Sequence, residues 1–90
     1  MNRRYRRADG VAERKIDDEI FLIGAENQSL FHLNALAAAV WNLLEEPLTI
    51  NEAVGIISRA FPDMPGDAIS NDVEKLIKQL AANKLVAMTG

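Results

Sequence analysis

Ser29-Leu30-Phe31-His32-Leu33-Asn34-Ala35-Leu36-Ala37-Ala38-Ala39-Val40-Trp41-Asn42-Leu43-Leu44 is the stretch whose reading decides the fold. Its hydrophobic period changes partway. Ser29 to Leu33 alternates as a strand does. From Leu33 onward, Leu36, Ala37, Val40, Trp41 and Leu44 fall at i+3, i+4, i+7, i+8 and i+11, one face of a helix. Asn34 stands at the junction, where its side chain can accept an early free helical N–H. Pro47 closes the stretch. A strand therefore runs directly into a helix.

Working outward, Ile20-Phe21-Leu22-Ile23 is a short apolar run of strand-favouring residues. Asp17-Asp18-Glu19 before it reads as a turn, and Val11 to Ile16 is a weaker strand that pairs with it as a hairpin. Gly24 to Gln28 is a loop. On the C-terminal side, Ile50, Ala53, Val54, Ile57 and Phe61 form a second helical face. Thr49 with Glu52 three residues on predicts a capping box, and Pro62 ends the helix. Ile69, Val73, Leu76, Ile77 and Leu80 form a third, approached through Pro65 and Gly66 and capped by Asp67 or Ser70. A last short strand fits Leu85-Val86-Ala87. Strands then helices predict an α+β domain: a three-stranded antiparallel N-terminal meander followed by three helices.

Composition excludes much. Ninety residues, 49% apolar and without cysteine, make one small domain with no disulfide, thiolate metal site or cysteine nucleophile. One histidine, His32, rules out sites built on two imidazoles. The chain has neither a transmembrane-length apolar run nor a secretory signal, so a cytoplasmic setting is expected. No glycine-rich phosphate loop or nucleophile elbow is present. Asp17, Asp18 and Glu19 are adjacent rather than spaced as in a calcium loop. The expectation is a protein that is not an enzyme and has no cofactor or metal site. His32 reads most simply as a half-buried cross-strand residue.

Charge divides unevenly. Arg3, Arg4, Arg6, Arg7, Arg14 and Lys15 stand against Asp9 and Glu13 in residues 1–15, whereas residues 16–90 hold four basic and eleven acidic groups. Residues 1–10 therefore read as a basic, flexible arm and 11–90 as the domain. Between Ala35 and Leu44 no residue is charged, and Ala35, Ala38, Ala39, Asn42 and Leu43 lie opposite the core stripe. Such a helix is expected to be covered on all sides, the alternative being a contact surface for a partner or a homodimer. Three helices with a β-ribbon also suit a winged helix-turn-helix that binds nucleic acid. The third helix, with Asp67, Asp72 and Glu74 against Lys75, Lys78 and Lys84 and no arginine, weighs against that alternative.

The series Glu19-Ile20-Phe21-Leu22-Ile23, Phe31-His32-Leu33-Asn34 and Ala38-Ala39-Val40-Trp41-Asn42-Leu43-Leu44 resembles the PqqD-like family. Thr49-x-x-Glu52-Ala53, Asp72-Val73, Leu76-Ile77-x-x-Leu80 and Leu85-Val86 continue the likeness, which spans about residues 11–87. Two departures are Glu45-Glu46-Pro47, where many members have Asp-Gly, and Phe31-His32, where an aromatic pair is common. The chain is thus more similar to the broad family than to its quinone-pathway branch.

The resemblance implies a winged-helix-like peptide chaperone, a RiPP recognition element. Such a module binds the leader of a ribosomally made precursor peptide and presents it to a modifying enzyme, often a radical-SAM enzyme. It also implies pockets between the third strand and the third helix, with Leu30, Phe31 and His32 on one side and Asp72, Lys75, Leu76 and Gln79 on the other. The residues alone support the same mode. The third strand, Ser29 to Leu33, is the edge of the meander, and its free N–H and C=O groups can accept an extended peptide. Alternation sends Leu30 and His32 to one face and Phe31 and Leu33 to the other.

Overall fold

The computed structural model describes residues 3–25 and 30–89. The elements in chain order are β1 (Arg4–Arg7), β2 (Ala12–Ile16), β3 (Glu19–Ile23), β4 (Leu30–Leu33), α1 (Ala35–Leu43), β5 (Leu48–Thr49), α2 (Ile50–Ala60), α3 (Gly66–Ala82) and β6 (Val86–Thr89). Two antiparallel sheets result, β2-β3-β4 and β5-β1-β6. The first is the expected meander and the fold is α+β. Ser29, expected in the third strand, and residues 26–28, expected in a loop, lie outside the described residues.

The meander turns on Asp17 and Asp18, at φ 50° and 70°. A type I′ hairpin turn needs both central residues at positive φ, and a short polar side chain tolerates it. Pairing sets Phe21 opposite His32 and Leu22 opposite Phe31. Period-2 geometry then divides the sheet. Leu22 and Leu33 are buried in the core, with Ile20 and Phe31 packed against it.

The helices begin where the caps predict. The Ala37 N–H donates to Asn34 Oδ1 at 2.8 Å. Both arms of the Thr49–Glu52 box form, the Thr49 N–H donating to Glu52 Oε1 at 2.8 Å and the Glu52 N–H to Thr49 Oγ1 at 3.1 Å. The third helix differs from expectation. It starts at Gly66 with Pro65 as an N-cap that makes no side-chain bond, so Asp67 and Ser70 lie inside the helix. Asp67 in the first turn still complements the helix dipole. At its other end Lys84 sits at φ 60°, and the Leu85 N–H donates to the Leu80 carbonyl at 2.9 Å. That left-handed residue with its back-bond is a Schellman ending, and it returns the chain along β6.

Residues 1–10, expected as a flexible arm, contain a strand. Arg4–Arg7 is the centre of the second sheet, paired with β5 on one side and β6 on the other. The Arg7 N–H donates to the Leu44 carbonyl at 3.2 Å. Its Nε donates to the Trp41 carbonyl at 3.1 Å, and its guanidinium lies 4.6 Å from the Trp41 ring centroid. Arg7 thus gives the Leu44 carbonyl a donor and the Trp41 carbonyl, which also accepts the Leu44 N–H, a second one, and adds a cation–π contact. The buried Trp41 in turn donates its indole N–H to Glu13 Oε1 at 2.8 Å, so this ring joins β1, β2 and α1.

Trp41, Leu44, Ile57, Val73, Ile77 and Leu80 lie at the centre of the core. α1 is not covered on all sides as expected. Ala38, Ala39 and Leu43 are half-buried, while Ala35 and Asn42 are exposed, because α2, α3 and β4 pack against the opposite side. No helix among the described residues is long and apolar enough to cross a membrane.

Candidate functional site

In the order β2-β3-β4, the outer edge of β4 has no strand beside it among the described residues. In an antiparallel pair, alternate residues direct both backbone groups toward the partner. Two of the four β4 residues therefore turn their N–H and C=O outward.

Next to this edge is a groove of about 340 Å³, lined by Phe31, His32, Asn34, Leu36, Ala37, Asp72, Lys75, Leu76 and Gln79. β4 supplies Phe31 and His32, the first turn of α1 supplies Leu36 and Ala37, and α3 forms the far wall. Asp72, Lys75, Leu76 and Gln79 follow i, i+3, i+4 and i+7, which places them on one helical face. The opposite phase of α3, with Ile69, Val73, Ile77 and Leu80, is buried. Periodicity therefore anchors α3 by one face and presents the next to the groove.

Of the residues expected at a site, the structure brings Phe31, His32, Asp72, Lys75, Leu76 and Gln79 together. Leu33 does not join them: at 3% exposure it belongs to the core beneath. Leu30 is 67% exposed and sits on the outer face of the sheet rather than in the groove. Ser29 lies outside the described residues. Asn34, Leu36 and Ala37 were not anticipated. The signal for them was the Asn34 cap itself, which fixes the first turn of α1 against the end of β4.

His32 is exposed rather than half-buried. Its ring centroid is 5.1 Å from that of Phe21, and its Nε2 lies 3.1 Å from Glu19 Oε1. The walls are thus Phe31, Leu36, Ala37 and Leu76, with Asp72, Lys75 and Gln79 adding polar groups, while the His32 ring turns to the outer face beside Phe21 and Glu19. This arrangement suits an extended chain with apolar side chains. Every buried side-chain nitrogen and oxygen among the described residues has a hydrogen-bond partner, so no polar group waits inside for a small ligand.

The profile of the family described as Coenzyme PQQ synthesis protein D (PqqD) matches residues 19–86. Among solved structures, TbiB1 in complex with the TbiA(beta) leader peptide is similar. It is 27% identical, with a TM-score of 0.76, over 90% of this chain and 93% of that one. The PqqD truncation of Methylobacterium extorquens PqqCD, a stand-alone RiPP recognition element solved by NMR, is 21% identical with a TM-score of 0.73. That match covers 93% of this chain and 88% of that one, and it shows the shared fold. No curated protein matches the sequence significantly.

Proposed function

Since the chain belongs to the PqqD family, we propose that it is a non-catalytic, cytoplasmic recognition element. It captures the leader of a ribosomally made precursor peptide and presents it to a modifying enzyme, of the radical-SAM type by the family resemblance. The peptide adds as a strand beside Leu30–Leu33, and its inward side chains enter the groove toward α3. The observation that carries this reading is the open β4 edge lying directly beside a groove of mixed lining, in which Phe31, Leu36 and Leu76 stand among polar side chains. Backbone pairing supplies affinity and the pocket supplies selection. The leader peptide bound to the similar TbiB1 supports it.

Phe31, His32, Asp72, Lys75, Leu76 and Gln79 are the proposed contacts, with Leu36, Ala37 and Asn34 added by the groove. Asp72 stands with Lys75 on the groove face of α3, so that face carries no net positive charge to hold a phosphate backbone.

The test is a titration of candidate leader segments from ribosomally made precursor peptides into isotope-labelled protein. Amide shifts concentrated on residues 30–37 and 72–79 support the reading. Saturable binding with shifts confined to α2 or the second sheet refutes it.

A further inference from the structure

The outer face of the meander carries more apolar side chains than a solvated face should. Register places Ala12, Ile23 and Leu30 in one row across the three strands, Arg14, Phe21 and His32 in the next, and Ile16 with Glu19 in the third. An antiparallel sheet with one face in the core ordinarily carries polar residues on the other. Here Ile16 is 56% exposed and Leu30 67%, and Phe21 and Ile23 are half-buried. None of these four is among the side chains packed against the core.

The whole face, with Arg14, His32 and Glu19 included, covers roughly 300 Å², taking strands about 4.8 Å apart and rows about 6.8 Å apart. A stable interface with a second copy needs about 800 Å² from each partner, so the face is too small to hold a dimer by itself. It does end at β4, beside the edge where a fourth strand would add. Such a strand extends the face by one column, and its outward residue opposite Leu30 would lie about 5 Å away, within cross-strand contact.

Resting on the peptide-binding reading above, we infer that the bound peptide is gripped on both faces. One side chain enters the groove, and its immediate neighbour packs outward on Leu30 and, behind it, Ile23. The ligand class is therefore a segment with adjacent apolar residues, not the alternating apolar and polar residues that a half-solvated edge strand usually has. At the next outward position the added strand meets His32, already held by Phe21 and Glu19. The apolar requirement thus falls on the residue opposite Leu30.

The experiment is selection of binders from a random twelve-residue peptide library displayed on phage, using the wild type, Leu30→Lys and Leu76→Asp. Leu30 is largely in solvent, so its replacement leaves the fold intact. Expected are wild-type binders with adjacent apolar residues. Leu30→Lys should bind those peptides about tenfold more weakly, the worth of about 55 Å² of apolar contact, and should itself select an acidic residue beside the groove-facing one. Leu76→Asp should lose the binders altogether. Alternating binders that Leu30→Lys holds as well as wild type does, with Leu76→Asp still inactive, overturn this inference and leave the peptide-binding reading standing. Binders indifferent to both substitutions, or no binders to the wild type, overturn the reading itself and the inference with it.

Discussion

Leu76→Asp should weaken leader binding by a hundredfold or more while the fold survives. Ordering a peptide beside the four residues of β4 costs about 1–2 kcal/mol per residue. Each backbone hydrogen bond returns about 0.5–1.5 kcal/mol net, so the ladder contributes little on balance. A micromolar complex needs about 8 kcal/mol. At about 25 cal/mol per Å², that requires about 330 Å² of apolar burial before the entropy of association is counted.

The apolar walls that could supply it are Phe31, Leu36 and Leu76, since Ala37 is 5% exposed and offers little. One wall of the three then carries about 2–3 kcal/mol. An aspartate there also leaves a carboxylate against the peptide's apolar side chain, costing about 1–3 kcal/mol more. Together these give about 3–6 kcal/mol, at about 1.4 kcal/mol per decade. Anisotropy of a dye-labelled leader measures the affinity, and thermal melting monitors the fold. Because Leu76 is half-buried and packs on the core, a fall in Tm is expected as well. A folded variant whose affinity lies within threefold of wild type would refute the assignment of the α3 wall to the site.

Other outcomes follow from the scaffold. Glu13→Ala strips the buried Trp41 indole N–H of its acceptor and should cost about 1–3 kcal/mol in urea unfolding, with a shift in Trp41 emission. An unchanged midpoint would remove this bond from the account. Gly10 has φ 81°, and a Cβ there would stand 2.9 Å from the Ala25 Cβ. Gly10→Ala should therefore destabilise by about 1–3 kcal/mol, and adding Ala25→Gly should recover only the contact, not the backbone strain. The Thr49 N–H, with a smaller contribution from the Arg4 charge, holds the Glu52 carboxyl below its usual range. Its stabilising effect is complete above the unfolded value near 4.5 and is lost as pH falls through the lower folded value. Glu52→Gln should flatten that acid limb of the stability curve, and an unaltered limb would contradict the linkage.

The meander and the three helices were legible because their signals are local. The period change at Asn34, the Thr49–Glu52 spacing and the apolar run Ile20–Ile23 each lie within a few residues. The second sheet was not. Arg4-Tyr5-Arg6-Arg7 has one apolar side chain, and its partners, Leu48–Thr49 and Val86–Thr89, are more than forty and more than seventy residues away. What holds it is Tyr5 against the core and Arg7 on Trp41, and a charged run does not announce either contact. The start of α3 was misplaced because Pro65 and Gly66 read as approach rather than as cap and first residue.

At the site, alternation separated Leu30 and His32 from Phe31 and Leu33 but could not orient the pair. Burial of Leu33 does so, since it turns Phe31 toward the core side and Leu30 toward solvent. The α3 wall came from the family resemblance, and its helical spacing agrees with it. Leu36 and Ala37 were assigned to the core stripe, and the Asn34 cap, which starts α1 directly at the end of β4, brings them to the groove rim.

Amide hydrogen exchange across β4, with and without a saturating leader peptide, tests strand addition most directly. The account predicts that alternate N–H groups among Leu30–Leu33, the two facing away from β3, exchange rapidly in the free protein and become protected in the complex, while those bonded to β3 change little. A saturated complex in which all four exchange as in the free protein would contradict it.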